Sequence, residues 1–194
     1  NKFFMRPPSC APFSYKQAYQ HYIFRMHIID NFTRSNFISA LGTHWRCVTD
    51  QVMGGISEAK IKQTRIDNRP ALRLYGDVRL ENNGGFVQAS LDLSKDDTAL
   101  NASAFNGVRL TVLGNGESYG VHLRTNDTRR PWHSYRSIFT TSTNFTVIYL
   151  PFYNFVSHRL ETPFDTSGLR RIGLAAIGRE FRADLAVSDI RFYC

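Results

Sequence analysis

The chain has 194 residues, 42% of them apolar, and a formal charge of +8. That is enough apolar material for a core, and no run of 18 apolar residues is present, which excludes a membrane-spanning helix read from sequence. Cys10, Cys47 and Cys194 form no CxxC pair and are odd in number, which argues against a disulfide framework and points to a reducing compartment.

Residues 1–25 carry Lys2, Arg6, Lys16 and Arg25 and no acid, so about half of the excess charge sits in this basic arm. The arm lacks the apolar centre of a secretory signal and shows no clean amphipathic period. It reads as a solvated tail outside the core, with Met26 as the native start and residues 26–194 as a single β-sandwich domain. Helix is expected only within 13–25 and as a turn or two at 35–41. The rest of the chain is mildly basic and holds no nucleic-acid motif, so no nucleic-acid partner is expected.

Beyond the arm, short alternating runs are separated by Gly, Asn, Asp and Pro. "AKIKQTRI" (59–66) alternates, "DNRP" turns, and "ALRLYGDVRL" (71–80) continues. "GGFVQASLDL" (84–93) follows. "NGVRLTVLG" (106–114) puts Val108, Leu110 and Val112 on one face, and the Asn115-Gly116 pair that follows is a strong hairpin signal. "ESYGVHLRT" turns Tyr119, Val121 and Leu123 inward. "HSYRSIFTT", "NFTVIYLPF", "LRRIGLAAIG" and "RADLAVSDIRFY" complete eight to ten strands, the pattern of an all-β sandwich or barrel.

Several motifs fall short of chemistry. "GESYG" (116–120) matches a nucleophile elbow, but a strand and not a helix follows Ser118. The six histidines are not paired at metal-ligand spacing, and no metal or cofactor is expected; a calcium loop at "KDDT" (95–98) competes with a plain solvated loop. The Gly-Gly pairs in "DQVMGGIS" (50–57) and "ENNGGF" (81–86) lack a phosphate loop's following helix and are read first as turn or close-approach glycines, second as flat walls for a partner. The sequons at Asn31, Asn101, Asn126 and Asn144 carry no weight without a signal peptide.

The densest stretch is "GVHLRTNDTRRPWHSYR" (120–136). With Val121 and Leu123 inward, His122 and Arg124 face the other way. The next strand can join them in either of two registers, and the one with Arg136 outward is preferred because Tyr135 and Phe139 then share the core face. Either register makes a cationic sheet face rimmed by Trp132. Like charges on neighbouring strands call for carboxylates or a ligand, and Asp50, Glu81 and Asp127 are the candidate counter-charges.

"WRCVTDQVMGGIS" (45–57), "LENNGGFVQASLDL" (80–93), "GNGESYGVHLRT" (114–125), "RPWHSYR" (130–136), "LPFYNF" (150–155) and "LRRIGLAAIGREFRADL" (169–185) occur in this order. Together they resemble the NADH:ubiquinone oxidoreductase (complex I) intermediate-associated protein family, in its short bacterial form, from about Ile28 to Tyr193. The resemblance implies a galactose-binding-like jelly roll. It also implies a non-catalytic assembly or chaperone-type role through a protein partner such as a respiratory-complex assembly intermediate, in the bacterial cytoplasm or, for a eukaryotic member, the mitochondrion. Asp50, Asn82, Asn83, His122, Arg124, Trp132 and Arg136 are the expected partner-binding residues. The rival reading is a carbohydrate-binding module with Trp132 as the stacking platform.

Overall fold

The computed structural model describes residues 26–194, so the expected arm, with its helix at 13–25, lies outside the described residues. Among the described residues twelve strands form: β1 (His27–Asp30), β2 (Arg46–Thr49), β3 (Glu58–Ile66), β4 (Arg69–Val78), β5 (Phe86–Asp92), β6 (Gly107–Gly114), β7 (Ser118–Thr125), β8 (Ser134–Thr140), β9 (Thr146–Pro151), β10 (Val156–His158), β11 (Leu169–Ile177) and β12 (Phe181–Tyr193). The strands that alternation did not reveal are β1, β2 and β10, each only three or four residues long. The helical pieces among the described residues are 3-10 turns, and 35–41 is turn and bend rather than helix.

The strands form two antiparallel sheets. The first runs β3-β4-β12-β6-β9, with β1 also paired to β12; the second runs β10-β8-β7-β11-β5-β2. Alternation explains the layering. Leu72 and Leu74 of β4, Val108, Leu110 and Val112 of β6, and Leu185, Val187, Ile190 and Phe192 of β12 are buried from one side. Val87, Ala89 and Leu91 of β5, Tyr119, Val121 and Leu123 of β7, and Ile172 and Leu174 of β11 meet them from the other. Each large side chain so buried contributes about 1.5–3 kcal/mol.

Two turns illustrate how local signals are used. Asp67 and Asn68 both take positive φ (48° and 61°), the two-residue turn that matches strand twist, and they close the β3–β4 hairpin. Asn115-Gly116 does not close a hairpin. β6 pairs with β9 and β12, whereas β7 pairs with β8 and β11, so this turn carries the chain from one sheet to the other. The Asn115 side chain is committed to that crossing: it donates to Arg182 O (2.7 Å) and accepts from the Tyr119 hydroxyl (2.7 Å).

Both Gly-Gly motifs converge on one buried carboxylate. Asp50 follows β2 and is fully buried. Its Oδ1 accepts from Ser57 N (2.9 Å), and its Oδ2 accepts from Ser57 Oγ (2.5 Å), Gly85 N (2.6 Å) and Phe86 N (3.3 Å). The glycines divide the work. Gly54 and Gly85 take positive φ (89° and 119°), while Gly55 and Gly84 admit the carboxylate; a Cβ on Gly55 would lie 2.3 Å from Asp50 Cγ, and one on Gly84 2.5 Å from Oδ2. Burial alone would raise the Asp50 pKa, but the bonds from Ser57, Gly85 and Phe86 outweigh it and hold the group below the ordinary carboxylate range. The clamp ties the β2–β3 loop to the β4–β5 loop. Asp50 is therefore a structural residue with no surface to offer a partner, and its expected binding role is corrected.

A second buried carboxylate, Asp30, organises the 31–45 loop by accepting from Trp45 Nε1 (2.7 Å), Phe32 N (2.9 Å) and Ala40 N (3.3 Å).

Replacing Asp50 with Ala strands several buried donors, each costing about 1–3 kcal/mol, so Asp50→Ala is expected to lose about 3 kcal/mol or more in urea unfolding. Asp50→Asn presents an N–H to donors and is also destabilising. Gly55→Ala, by displacing the carboxylate, matches the loss of Asp50→Ala. A variant at any of these positions with wild-type stability contradicts the clamp.

Candidate functional site

The outward face of the second sheet is built by the alternation of β7, β8 and β11. Tyr119, Val121 and Leu123 enter the core, which sends Gly120, His122 and Arg124 to the other side. On β8, Tyr135 and Phe139 enter the core and Arg136 and Ile138 face out. His122 stands directly opposite Arg136, and Leu123 opposite Tyr135. This is the preferred register, and two aromatic anchors explain it. The Tyr135 hydroxyl lies in hydrogen-bonding reach of Thr162 O (2.8 Å) and Pro163 O (3.1 Å), with its ring 4.6 Å from Phe164. Phe139 packs on Tyr119 at 6.2 Å. A one-residue slip would eject both rings to water.

The floor of this face is flat because its central positions are small. Gly120 lies beneath the His122 ring, where a Cβ would sit 3.1 Å from Nε2. Gly173 of β11 pairs with His122 and lies beneath Gln88, where a Cβ would sit 2.5 Å from the amide carbon. One continuous row thus reads Val156, Arg136, His122, Gly173, Ser90, Arg46 across five strand pairings. His122 is 8% exposed. Burial first, then the charges of Arg136 and His158, push its pKa down to about 3, so the imidazole is neutral at physiological pH.

The charges on this face are unevenly compensated. Arg136 Nε donates to Ser134 Oγ (2.9 Å), and no carboxylate among the described residues pairs with it. Arg124 is directly opposed by Arg171 across β7 and β11. Its Nη2 donates to Thr128 O (2.7 Å) and Arg130 O (3.0 Å), so it braces the 125–133 loop. Burial, then Arg171 and Arg170, lower its pKa. The expected counter-charges are not the ones used. Asp50 is consumed by its clamp, and neither Glu81 nor Asp127 forms an ion pair with these arginines among the described residues. Asp92 is the carboxylate in use on this face, and it serves other arginines: it takes Arg171 Nε (2.6 Å) and also pairs with Arg46. Burial opposes its ionisation, but the bonds to Arg171 and Arg46 prevail and lower its pKa.

The other expected site residues separate. Trp132 is 43% exposed in the loop that Arg124 braces, edge-on to His133. Asn82 is exposed with positive φ (57°) in the turn before β5, and Asn83 follows it in the backbone. That turn lies at the Phe86/Ile177 end of the sheet, while Arg124 and Trp132 lie at the Asp92/Arg171 end. Six residues of strand separate the two ends, roughly 20 Å. His122, Arg124 and Arg136 therefore form one site with Trp132 at its far rim, and Asn82 and Asn83 stand outside it.

Other features were not read from sequence. Ile138 and Val156 are outward on β8 and β10 and are 73% and 69% exposed, beside Arg136. Ile138 was discoverable by alternation; Val156 needed the pairing of a three-residue strand. In the "KDDT" loop, Asp97 is taken by Arg170, and the described residues include no cluster of three metal-ligating side chains. No helix of the described residues is long and apolar enough to cross a membrane.

This architecture, two packed antiparallel sheets, is a galactose-binding-like sandwich. The family 11 carbohydrate-binding module from Clostridium thermocellum in complex with a β-1,3-1,4-mixed-linked tetrasaccharide is similar, with TM-score 0.66, 10% identity, and coverage of 87% of this chain and 95% of that one. The family 30 module of a cellulosomal cellulase from the same organism has TM-score 0.59 and 15% identity, covering 84% and 95%. At such identities these likenesses establish the fold. No curated protein matches in sequence. Residues 31–187 match the family described as Complex I intermediate-associated protein 30, CIA30, and the chain belongs to that family.

The depressed His122 pKa carries a pH signature. In the unfolded chain this histidine takes up a proton near pH 6.5. The native state resists protonation, so the stability contribution of His122 is complete above that pH and is lost progressively as pH falls toward its folded value near 3. Urea unfolding at pH 7.5 and pH 5 is expected to show a larger drop for the wild type than for His122→Gln. Equal drops contradict burial of a neutral imidazole.

Proposed function

We propose that this chain is a non-catalytic binding protein that serves the assembly of a respiratory complex, docking a protein partner on the outward face of its second sheet. One observation carries the reading: Arg136, paired with no carboxylate among the described residues, stands beside exposed Ile138 and Val156 on a flat floor. An arginine fork framed by aliphatic side chains is a protein-interface anchor, combining apolar contact area with directed donors. The family description supports an assembly role. The role would be exercised in the cytoplasm of a bacterium or the mitochondrion of a eukaryote.

A glycan-binding reading is favoured by the fold likeness and by exposed Trp132. Against it, the outward positions of β5, β7, β8, β10 and β11 carry a single aromatic carbocycle, Phe86, at one end. A sugar chain lying along the face would find no stacking platform at its centre.

Arg124 is a poor probe of docking, because truncating it also frees the 125–133 loop. Arg136→Glu with Ile138→Asp is cleaner, since Ile138 is exposed and Arg136 holds only Ser134. Affinity capture with the double variant is expected to lose complex I assembly intermediates about tenfold or more relative to wild type, as for an interface anchor, with the thermal midpoint little changed. Undiminished capture, or binding of mixed-linked β-glucan oligosaccharides that depends on Trp132, overturns this reading.

A further inference from the structure

Beyond the flat centre of the second sheet, its Asp92/Arg171 end opens into a cleft of about 350 Å³. Four cations line it, Lys95, Arg124, Arg170 and Arg171, against two carboxylates, Asp92 and Asp97. The balance inside the cleft favours two positive charges. The negative compensation is weaker still in practice, because Asp92 is shared with Arg46 from outside the cleft, and the Asp97 side chain is 95% exposed and screened by water.

Two of these cations, Arg124 and Arg171, are held in place. Arg124 is fixed by two loop carbonyls. Arg171 is fixed by Asp92. Lys95 lies across Gly42, where a Cβ would come within 2.6 Å of its Nζ. Arg124 and Arg171 are moreover directly opposed, an arrangement that costs stability unless something neutral or negative lies between them. Asn126 and Thr98 add polar groups to the rim. Guanidinium forks and an ammonium converging from one strand pair and one loop suit several oxygens around a single centre.

We propose that this cleft binds a compact dianion of the phosphate class, either free phosphate or a phosphoryl group carried on a small molecule. The inference is independent of what covers the flat centre of the sheet.

Inorganic phosphate, glucose 6-phosphate and glucose are titrated into the full chain at constant ionic strength, with sodium chloride as the control. Saturable heat by calorimetry and a raised thermal midpoint are expected for inorganic phosphate, for glucose 6-phosphate or for both, and neither for glucose nor chloride. The tighter of the two identifies the source of the anion. Lys95→Gln with Arg170→Gln removes two cations, of which Arg170 bonds only the exposed side chains of Asp97 and Asn126, and the double variant is expected to bind at least about tenfold more weakly while its midpoint without ligand stays near wild type. Equal responses to phosphate and chloride, or phosphate binding that survives the double variant, overturn the proposal.

Discussion

The register of β7 between β8 and β11 is the constraint on which the rest of the molecule hangs. Side chains alternate with a period of two, so one choice of inward residues decides both faces at once. Tyr119, Val121 and Leu123 are inward, and Gly120, His122 and Arg124 must then be outward. The choice is enforced from the core. Tyr119 bridges the two sheets, donating to Asn115 and accepting from the amide of Asp184 on β12 (2.8 Å). Burial pushes its pKa up to about 12, so the hydroxyl keeps its proton and its donor role. Tyr135 on the next strand is fixed by its hydroxyl, which reaches Thr162 O and Pro163 O in the 159–165 loop. With both rings locked, Arg136 has one place to stand, opposite His122.

The Asp50 clamp does a complementary job at the other end. A sandwich made of antiparallel strands needs its connecting loops held, and loops offer little apolar area for that purpose. One carboxylate meeting three backbone amides and a hydroxyl holds two loops together. This explains why the chain carries two Gly-Gly pairs some thirty residues apart and an aspartate four residues before the first. Exposed Val52, Met53, Ile56 and Leu80 lie on the loops that the clamp joins.

Much of this was legible in the sequence, for physical reasons that can be named. Long strands with clean alternation, such as β6 and β7, declare their faces. The β7–β8 register could be chosen because a wrong choice would expose Tyr135 and Phe139. Asn115-Gly116 misled because a turn sequence specifies a local conformation, not which sheet the chain enters next. Asp50 misled because an aspartate beside glycines looks the same whether it faces a ligand or accepts buried amides. The opposition of Arg124 and Arg171, and the service of Asp92 to two arginines, depend on strand order between segments far apart in sequence. Alternation carries no information about order.

The proposed docking of a protein partner on the outward face of the second sheet is open to direct test in the cell. The most direct measurement is site-specific photo-cross-linking in the native cell, with the probe at Ile138 on that face and, separately, at Val147 on the outward face of the first sheet; both positions are exposed. Discrete protein adducts are expected from position 138 and none from 147. Adducts from 147 with none from 138 would contradict the proposed docking.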